Sequence, residues 1–220
     1  MSVAVAFCPC PPVLVSDVAA GAAAELDDLR TSCAEAVETV TKDTPRRVLV
    51  VGGGDPPGRW GAEAGGSMRR YGKDVHCGGL QDDLPLSLTI GAHLLDLAGW
   101  TGDRAYVAVA GHETLDADAE VAWLVMADGT AKRTGTSPGY VDERALGWDA
   151  VVAHALAEGD SATLAGLDLA VASDLWCDGA PAWKVAGRSL AGRRVGEARL
   201  LADQAPYGVG YLVATWMFLT

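Results

Sequence analysis

The side chains best suited to metal binding or nucleophilic chemistry are four histidines and five cysteines, and their spacing limits what they can do. Cys8 and Cys10 lie two positions apart in a Pro-rich segment, and thiolates are good ligands for zinc or iron. A Cys-x-Cys pair supplies at most two ligands, however, and the sequence contains neither a second such pair nor a local His-x-x-x-His pair. These residues alone therefore do not form a complete metal or catalytic site, and no cofactor is expected.

His112 and Glu113 are the catalytic candidates suggested by position, because they follow an apolar run at 106–110 that is typical of a strand. Imidazole titrates near neutral pH, and the carboxyl ends of parallel strands face the ligand crevice of an α/β sheet. A hydrogen-bonded structural histidine is the alternative. His76 and Cys77 are expected to be exposed in a long loop, and His93 and His154 to lie on helix surfaces or in grooves.

A glycine-rich segment, Gly52, Gly53, Gly54 and Asp55, follows the apolar strand predicted at 47–51. Backbone amides freed by glycine can bind phosphate, but no Gly-Lys-Ser/Thr follows, and Asp55-Pro-Pro places a negative charge and two residues without N–H where donors are needed. The segment is therefore predicted to be a loop packed close to a neighbouring strand.

Hydrophobic periodicity predicts alternating strands and helices, followed by a C-terminal pair of strands. The strands are expected at 3–7, 47–51, 106–110, 121–126, 199–202 and 209–218. The helices are expected at 16–40, 86–97, 142–158 and 160–176, and 52–83 is expected to be mainly loop. This order predicts one α/β domain over residues 1–220, with three layers: a mostly parallel or mixed central sheet and helices on both faces.

Composition narrows the classes of partner. The net charge of −12 disfavours nucleic acid and anionic membranes, and the N-terminus has neither the basic start nor the apolar length of a signal peptide. Five irregularly spaced cysteines are expected to be reduced thiols in the cytoplasm. Trp148, Trp176, Trp183 and Trp216 are expected mainly in the core.

Four segments taken in order resemble the B-type polypeptide of the class III extradiol ring-cleavage dioxygenases, and in particular an actinobacterial branch of that superfamily. They are CPCPPVLVSDVAAG, LPLSLTIGAHLL, VMADGTAKRTGTSPGYVDERALGWDAVVAHALAEGD and PYGVGYLVATW. The resemblance spans nearly the whole chain and rests on the order and spacing of the segments. It implies the α/β fold of that extradiol dioxygenase polypeptide.

The resemblance also implies where catalytic groups would stand. Active family members hold Fe(II) with two histidines and a glutamate, and a further histidine serves as acid and base. Here Cys10 stands at the first histidine position and the segment from Gly52 to Asp55 at the second. The acid/base pattern matches 127–131, which contains Asp128 and ends at Ala131; the glutamate has no clear counterpart, Glu113 and Glu197 being considered.

Three functional hypotheses follow. The first is a protein that has lost ring cleavage and binds a small molecule or a protein partner in the inherited crevice, with Cys10, the Gly52 to Asp55 segment and Ala131 as crevice candidates and Asp128 joining His112 and Glu113 as catalytic candidates. The second is an Fe(II) or zinc enzyme with a rearranged site built from Cys8 or Cys10, Asp55 and His112. The third is a structural subunit that assembles with a partner or with itself as a homo-oligomer.

Overall fold

A seven-stranded mixed sheet organises the chain in the computed structural model, which describes residues 4–118 and 120–219. Four neighbouring strands run parallel, in the spatial order β7 (Asp103–Val109), β2 (Arg47–Gly53), β8 (Val121–Met126) and β1 (Ala4–Cys8). Antiparallel strands complete both sides: β3 (Gly58–Trp60) beside β7, then β10 (Tyr211–Phe218) beside β1 and β9 (Val195–Gln204) at the outer edge. The predicted α/β class with a mixed sheet is confirmed.

Alternate residues of β1 pack into two separate core clusters. Ala4, Ala6 and Cys8 share one cluster with buried residues of α2 (Asp27–Thr41) and α3 (Leu86–Leu97). Val5 and Phe7 share the other with α4 (Glu143–Glu158) and α7 (Ala180–Ser189). Successive strand side chains point to opposite faces, so both faces of β1 are buried by helices.

Two helices predicted as continuous are divided, which corrects both predictions. The first becomes α1 (Ser16–Ala19), a 3-10 helix (Ala20–Leu26) and α2, because Ala20 adopts a φ of +49° through which an α-helix cannot continue. The second becomes α5 (Ser161–Ala165) and α6 (Leu169–Asp174). Asp168 is the N-cap of α6, and its side chain accepts hydrogen bonds from two N–H groups of the first turn.

The segment predicted as loop at 52–83 contains a second, three-stranded sheet as well as β3. In it β4 (Ala64–Ser67) pairs with β5 (His76–Gly78) and β6 (Gln81–Asp82). The expectation that Cys77 is exposed is wrong, because β5 packs against α3 and the Cys77 side chain is buried between them. His76 is exposed, as expected.

The strand predicted at 199–202 is longer than expected, because β9 runs from Val195 to Gln204. The other predicted elements are present with bounds shifted by at most three residues, while Val3, the first residue of the first predicted strand, lies outside the described residues. Trp183 and Trp216 are fully buried, but Trp176 is 50% exposed, so the core prediction is wrong for that residue. All five cysteines are free. None of the helices in the described ranges has the length and apolar character needed to cross a bilayer.

Candidate functional site

The carboxyl ends of the central strands border one crevice, as expected for parallel strands of an α/β sheet. It contains two contiguous cavities that share Gly53 and Asp178. The first, which we call the Cys10 cavity, has a volume of about 370 Å³ and is also lined by Asp128. The second, the Asp55 cavity, has a volume of about 530 Å³. The ends of β1, β2 and β8 thus bring three of the sequence-predicted segments together.

The glycines of this edge are required by close packing. Gly52 and Gly53 belong to β2 rather than to the following loop, which moves the predicted boundary. A Cβ atom on Gly53 would lie 2.6 Å from the backbone oxygen of Asp178, and one on Gly54 would lie 2.7 Å from the Cβ of Ala108 on β7. The prediction that this segment packs close to a neighbouring strand is confirmed.

Asp128 is the central polar group of the Cys10 cavity. Its Oδ1 accepts a hydrogen bond of 2.7 Å from the backbone N–H of Cys10. Burial raises the pKa of Asp128 to about 7; the hydrogen bond from Cys10 opposes this rise, and the negative charge of Asp178 adds to it. The carboxyl group therefore changes charge near neutral pH, unlike an ordinary aspartate.

The Cys10 thiol lies beside this carboxyl group and is half-buried. Burial, followed by the negative charge of Asp128, raises the pKa of the thiol well above its usual value. The thiolate is the form that binds metal and attacks electrophiles, so the protonated Cys10 is a poor ligand and a poor nucleophile near neutral pH.

Tyr211 and Asp178 complete the polar part of the Cys10 cavity, and the sequence patterns indicated neither. Tyr211 is only 3% exposed, and no described residue forms a hydrogen bond with its hydroxyl group. It begins β10, which runs antiparallel to β1 and so starts at the edge where β1 ends. Asp178 lies just before α7, a helix that the hydrophobic pattern had not indicated, although Asp178-Gly-Ala-Pro carries the signs of a helix start.

A buried carboxylate on α4 holds the loops that carry Asp128 and Tyr211. Asp149 is fully buried and accepts hydrogen bonds from the N–H (3.0 Å) and hydroxyl (2.9 Å) of Thr130. Backbone hydrogen bonds then join this loop to Gly210, the residue before β10. Asp149 therefore fixes the position of the end of β8 relative to the start of β10.

His112 and Glu113 lie outside both sets of cavity-lining residues. His112 is exposed, and its backbone oxygen accepts a hydrogen bond from Arg188. The carboxylate of Glu113 accepts N–H hydrogen bonds from Ala110, Gly111 and His112, which closes the turn after β7. Burial alone would raise the pKa of Glu113, but these hydrogen bonds lower it below its ordinary value.

Three other candidates also lie away from the crevice. Ala131 is absent from the lining of both cavities, and its N–H donates to the backbone oxygen of Leu175. Glu197 is exposed on β9. Cys8 is buried in the core, where a hydrogen bond with the Cys33 side chain raises the pKa of its thiol.

The side chains present do not fit the iron site of the resembled family. Of the proposed metal ligands, Cys8 faces the core, Cys10 lies against Asp128, Asp55 lines the neighbouring cavity and His112 is exposed. In residues 4–118 and 120–219, no three His, Cys, Asp or Glu side chains are grouped so that they could hold a metal ion. Neither cavity is lined by an imidazole from the described ranges.

The Cys10 cavity offers two kinds of surface to a small molecule. Carboxyl, thiol and phenol groups provide hydrogen-bonding atoms in the Cys10 cavity, and an apolar wall is formed by Pro11, Pro12, Pro85, Leu86, Met126 and Val209. A few polar groups that converge in a mostly apolar cavity are typical of small-molecule sites. No protein-family model matches the chain, and no curated protein matches it.

Proposed function

We propose that this chain is a three-layer, class III extradiol dioxygenase-like protein of the actinobacterial branch that binds a small molecule in the inherited crevice without cleaving a ring. One observation supports this most directly. The segments matched to the family's two histidine ligands and to its acid/base loop all border one crevice, through Cys10, Gly53 to Asp55, and Asp128.

The replaced side chains argue against ring cleavage. The family's reaction uses imidazoles as iron ligands and as the acid and base. At the corresponding positions this chain has the protonated thiol of Cys10, the Gly52 to Asp55 segment and Ala131, which has no titratable group. Asp178, rather than Glu113 or Glu197, is the carboxyl group that lies in the crevice and is our proposed counterpart of the family's glutamate.

The shape of the Cys10 cavity suits a ligand about the size of one substituted aromatic ring. Its volume of about 370 Å³ lies near the lower end of the range for small-molecule sites, roughly 300–1,000 Å³. The apolar wall would contact the body of the ligand, while Asp128, Asp178 and Tyr211 would receive its polar substituents.

The experiment uses 4-methylcatechol as a probe and separates binding from turnover. Calorimetry is expected to detect binding to the purified protein, and an oxygen electrode is expected to show no oxygen uptake above a protein-free control after anaerobic Fe(II) loading. Leu86→Trp would fill the cavity from α3 and abolish binding, whereas Leu97→Trp, at the exposed end of the same helix, would retain it.

Two results would contradict the proposal. Oxygen uptake with formation of a ring-opened product would show that the protein cleaves the ring. Binding that is unaffected by Leu86→Trp would show that the ligand binds outside the Cys10 cavity. Stoichiometric Fe(II) that is lost in Cys10→Ala would favour the rearranged metal site instead.

A further inference from the structure

The crevice has a one-sided charge. Asp55, Asp128 and Asp178 line its two cavities, and none of the described residues that line them is Lys, Arg or His. Asp55 and Asp178 are exposed to the crevice solvent, whereas Asp128 is half-buried. A third cavity shares Gly54 and Asp55 with the Asp55 cavity and is lined by Arg70, Asp82 and Asp83, so the three linings together remain net negative.

Tyr211 points independently to a ligand. Its side chain is 97% buried by the protein and lines the Cys10 cavity, yet no described residue forms a hydrogen bond with its hydroxyl group. Tyrosine hydroxyl groups in mostly buried side chains usually have a hydrogen-bond partner. The fully enclosed unpaired side-chain atoms of the described residues belong to Tyr106 and Trp123, so the Tyr211 hydroxyl instead reaches the cavity space, where a partner can bind. A ligand in the cavity would supply that partner.

We infer that the crevice is selective for a small organic cation, an ammonium group carried on an apolar or aromatic body. This inference rests on the proposed binding function and names the ligand class. The ammonium group would pair with Asp128 and Asp178 and donate a hydrogen bond to the Tyr211 oxygen, while the body contacts the wall that includes Leu86 and Met126.

Electrostatics disfavours the opposite class of ligand. A carboxylate or phosphate would meet several carboxyl groups without a basic residue among the described lining to receive it, and the net charge of −12 would slow its approach. A hydrogen bond between charged groups contributes about 1.5–3 kcal/mol, so a cation should bind roughly 10- to 100-fold more tightly than its neutral counterpart. The preference should grow between pH 6 and pH 8, as Asp128 loses its proton.

Three probes that share one ring and differ in charge test the inference: dopamine (cation), 4-methylcatechol (neutral) and 3,4-dihydroxyphenylacetate (anion). Calorimetry at pH 8 and low salt is expected to give the tightest binding for dopamine and the weakest for the anion. Asp128→Asn and Asp178→Asn should each reduce the ratio of dopamine affinity to 4-methylcatechol affinity about tenfold. Asp43→Asn makes the same change of charge at an exposed position outside both cavities, so it should leave the preference unchanged.

The outcomes separate the two proposals. Equal affinity for dopamine and 4-methylcatechol would overturn the inference while the binding function stands. A dopamine preference that survives both cavity variants would also overturn it, because the selective charge would lie elsewhere. Binding of none of the three probes would overturn the proposed function and the inference together.

Discussion

Asp128 should make the protein less stable as the pH rises, which is unusual for a carboxyl group. Its pKa in the folded protein is about 7, against an ordinary value of 3.8. Between these values the folded protein retains a proton that the unfolded chain has released, so the free energy of unfolding falls with increasing pH. The decrease starts near the ordinary value and ends once the pH exceeds about 7.

The size of the effect follows from the pKa difference. Between pH 5 and the folded pKa lie about two pH units, each worth about 1.4 kcal/mol, so Asp128 should lower the free energy of unfolding by about 3 kcal/mol by pH 8. For a chain of this size that corresponds to about 6–12 °C in Tm. Asp128→Asn cannot ionise but still offers an oxygen to the Cys10 N–H, so its stability advantage over the wild type should be about 3 kcal/mol larger at pH 8 than at pH 5.

Urea denaturation followed by tryptophan fluorescence at the two pH values measures the effect. Burial lowers the pKa of His93, and this acts in the opposite direction over the same pH range, so the diagnostic quantity is the difference between the variant and the wild type at each pH. Asp43→Asn provides the matched control. A difference that is the same at both pH values, or a variant less stable than the wild type at pH 8, would refute the argument.

Three further outcomes are expected. Gly53→Ala should lower the free energy of unfolding in urea by about 1–3 kcal/mol, because its Cβ would lie 2.6 Å from a backbone oxygen. Gly147→Ala is the control, because a Cβ there meets nothing within 4 Å, and it should be neutral or slightly stabilising. Equal losses of stability in the two variants would contradict the packing argument. Asp149→Ala should lower the free energy of unfolding by about 2–4 kcal/mol, because the N–H and hydroxyl of Thr130 lose their acceptor. An unchanged free energy of unfolding would show that Asp149 does not hold this loop in place. A small maleimide should label Cys10 alone in the native protein, and slowly, as read by mass spectrometry, because the other four thiols are buried; early labelling at another cysteine would contradict this.

Hydrophobic periodicity was sufficient for the elements that have one buried face and clear ends. It predicted α3 and β8 with their observed bounds, and the end of α4 at Gly159, which adopts a left-handed backbone. It failed where a local backbone feature overrides a continuous apolar pattern. The φ of +49° at Ala20 interrupts the helix directly before Gly21, in a segment whose apolar spacing continues on both sides.

The small sheet at 64–82 escaped prediction for a different reason. Its strands are short and rich in glycine, so they carry neither the alternation nor the side-chain volume that identify a strand. Their position depends on packing against α3, as the buried Cys77 shows, and such long-range contacts are not encoded in a local pattern.

The candidate site was predicted in part. The order of parallel strands is enough to expect Cys10, the Gly52 to Asp55 segment and Asp128 at one edge, and the structure places them there. His112 follows a strand of the same set, yet the turn that Glu113 closes leaves it exposed. Tyr211 belongs to an antiparallel strand, whose amino end reaches this edge only because of the observed sheet order.

Packing alone does not explain an ionisable group at position 128, because an amide could accept the same N–H hydrogen bond without the cost of ionisation above neutral pH. A bound cation would change that balance, since a nearby positive charge favours the ionised form and lowers the pKa of Asp128. Saturating dopamine at pH 8 should therefore raise the Tm of the wild type more than that of Asp128→Asn, and this excess should disappear near pH 5. Equal Tm shifts at both pH values would mean that the carboxyl group's unusual pKa has no part in ligand recognition.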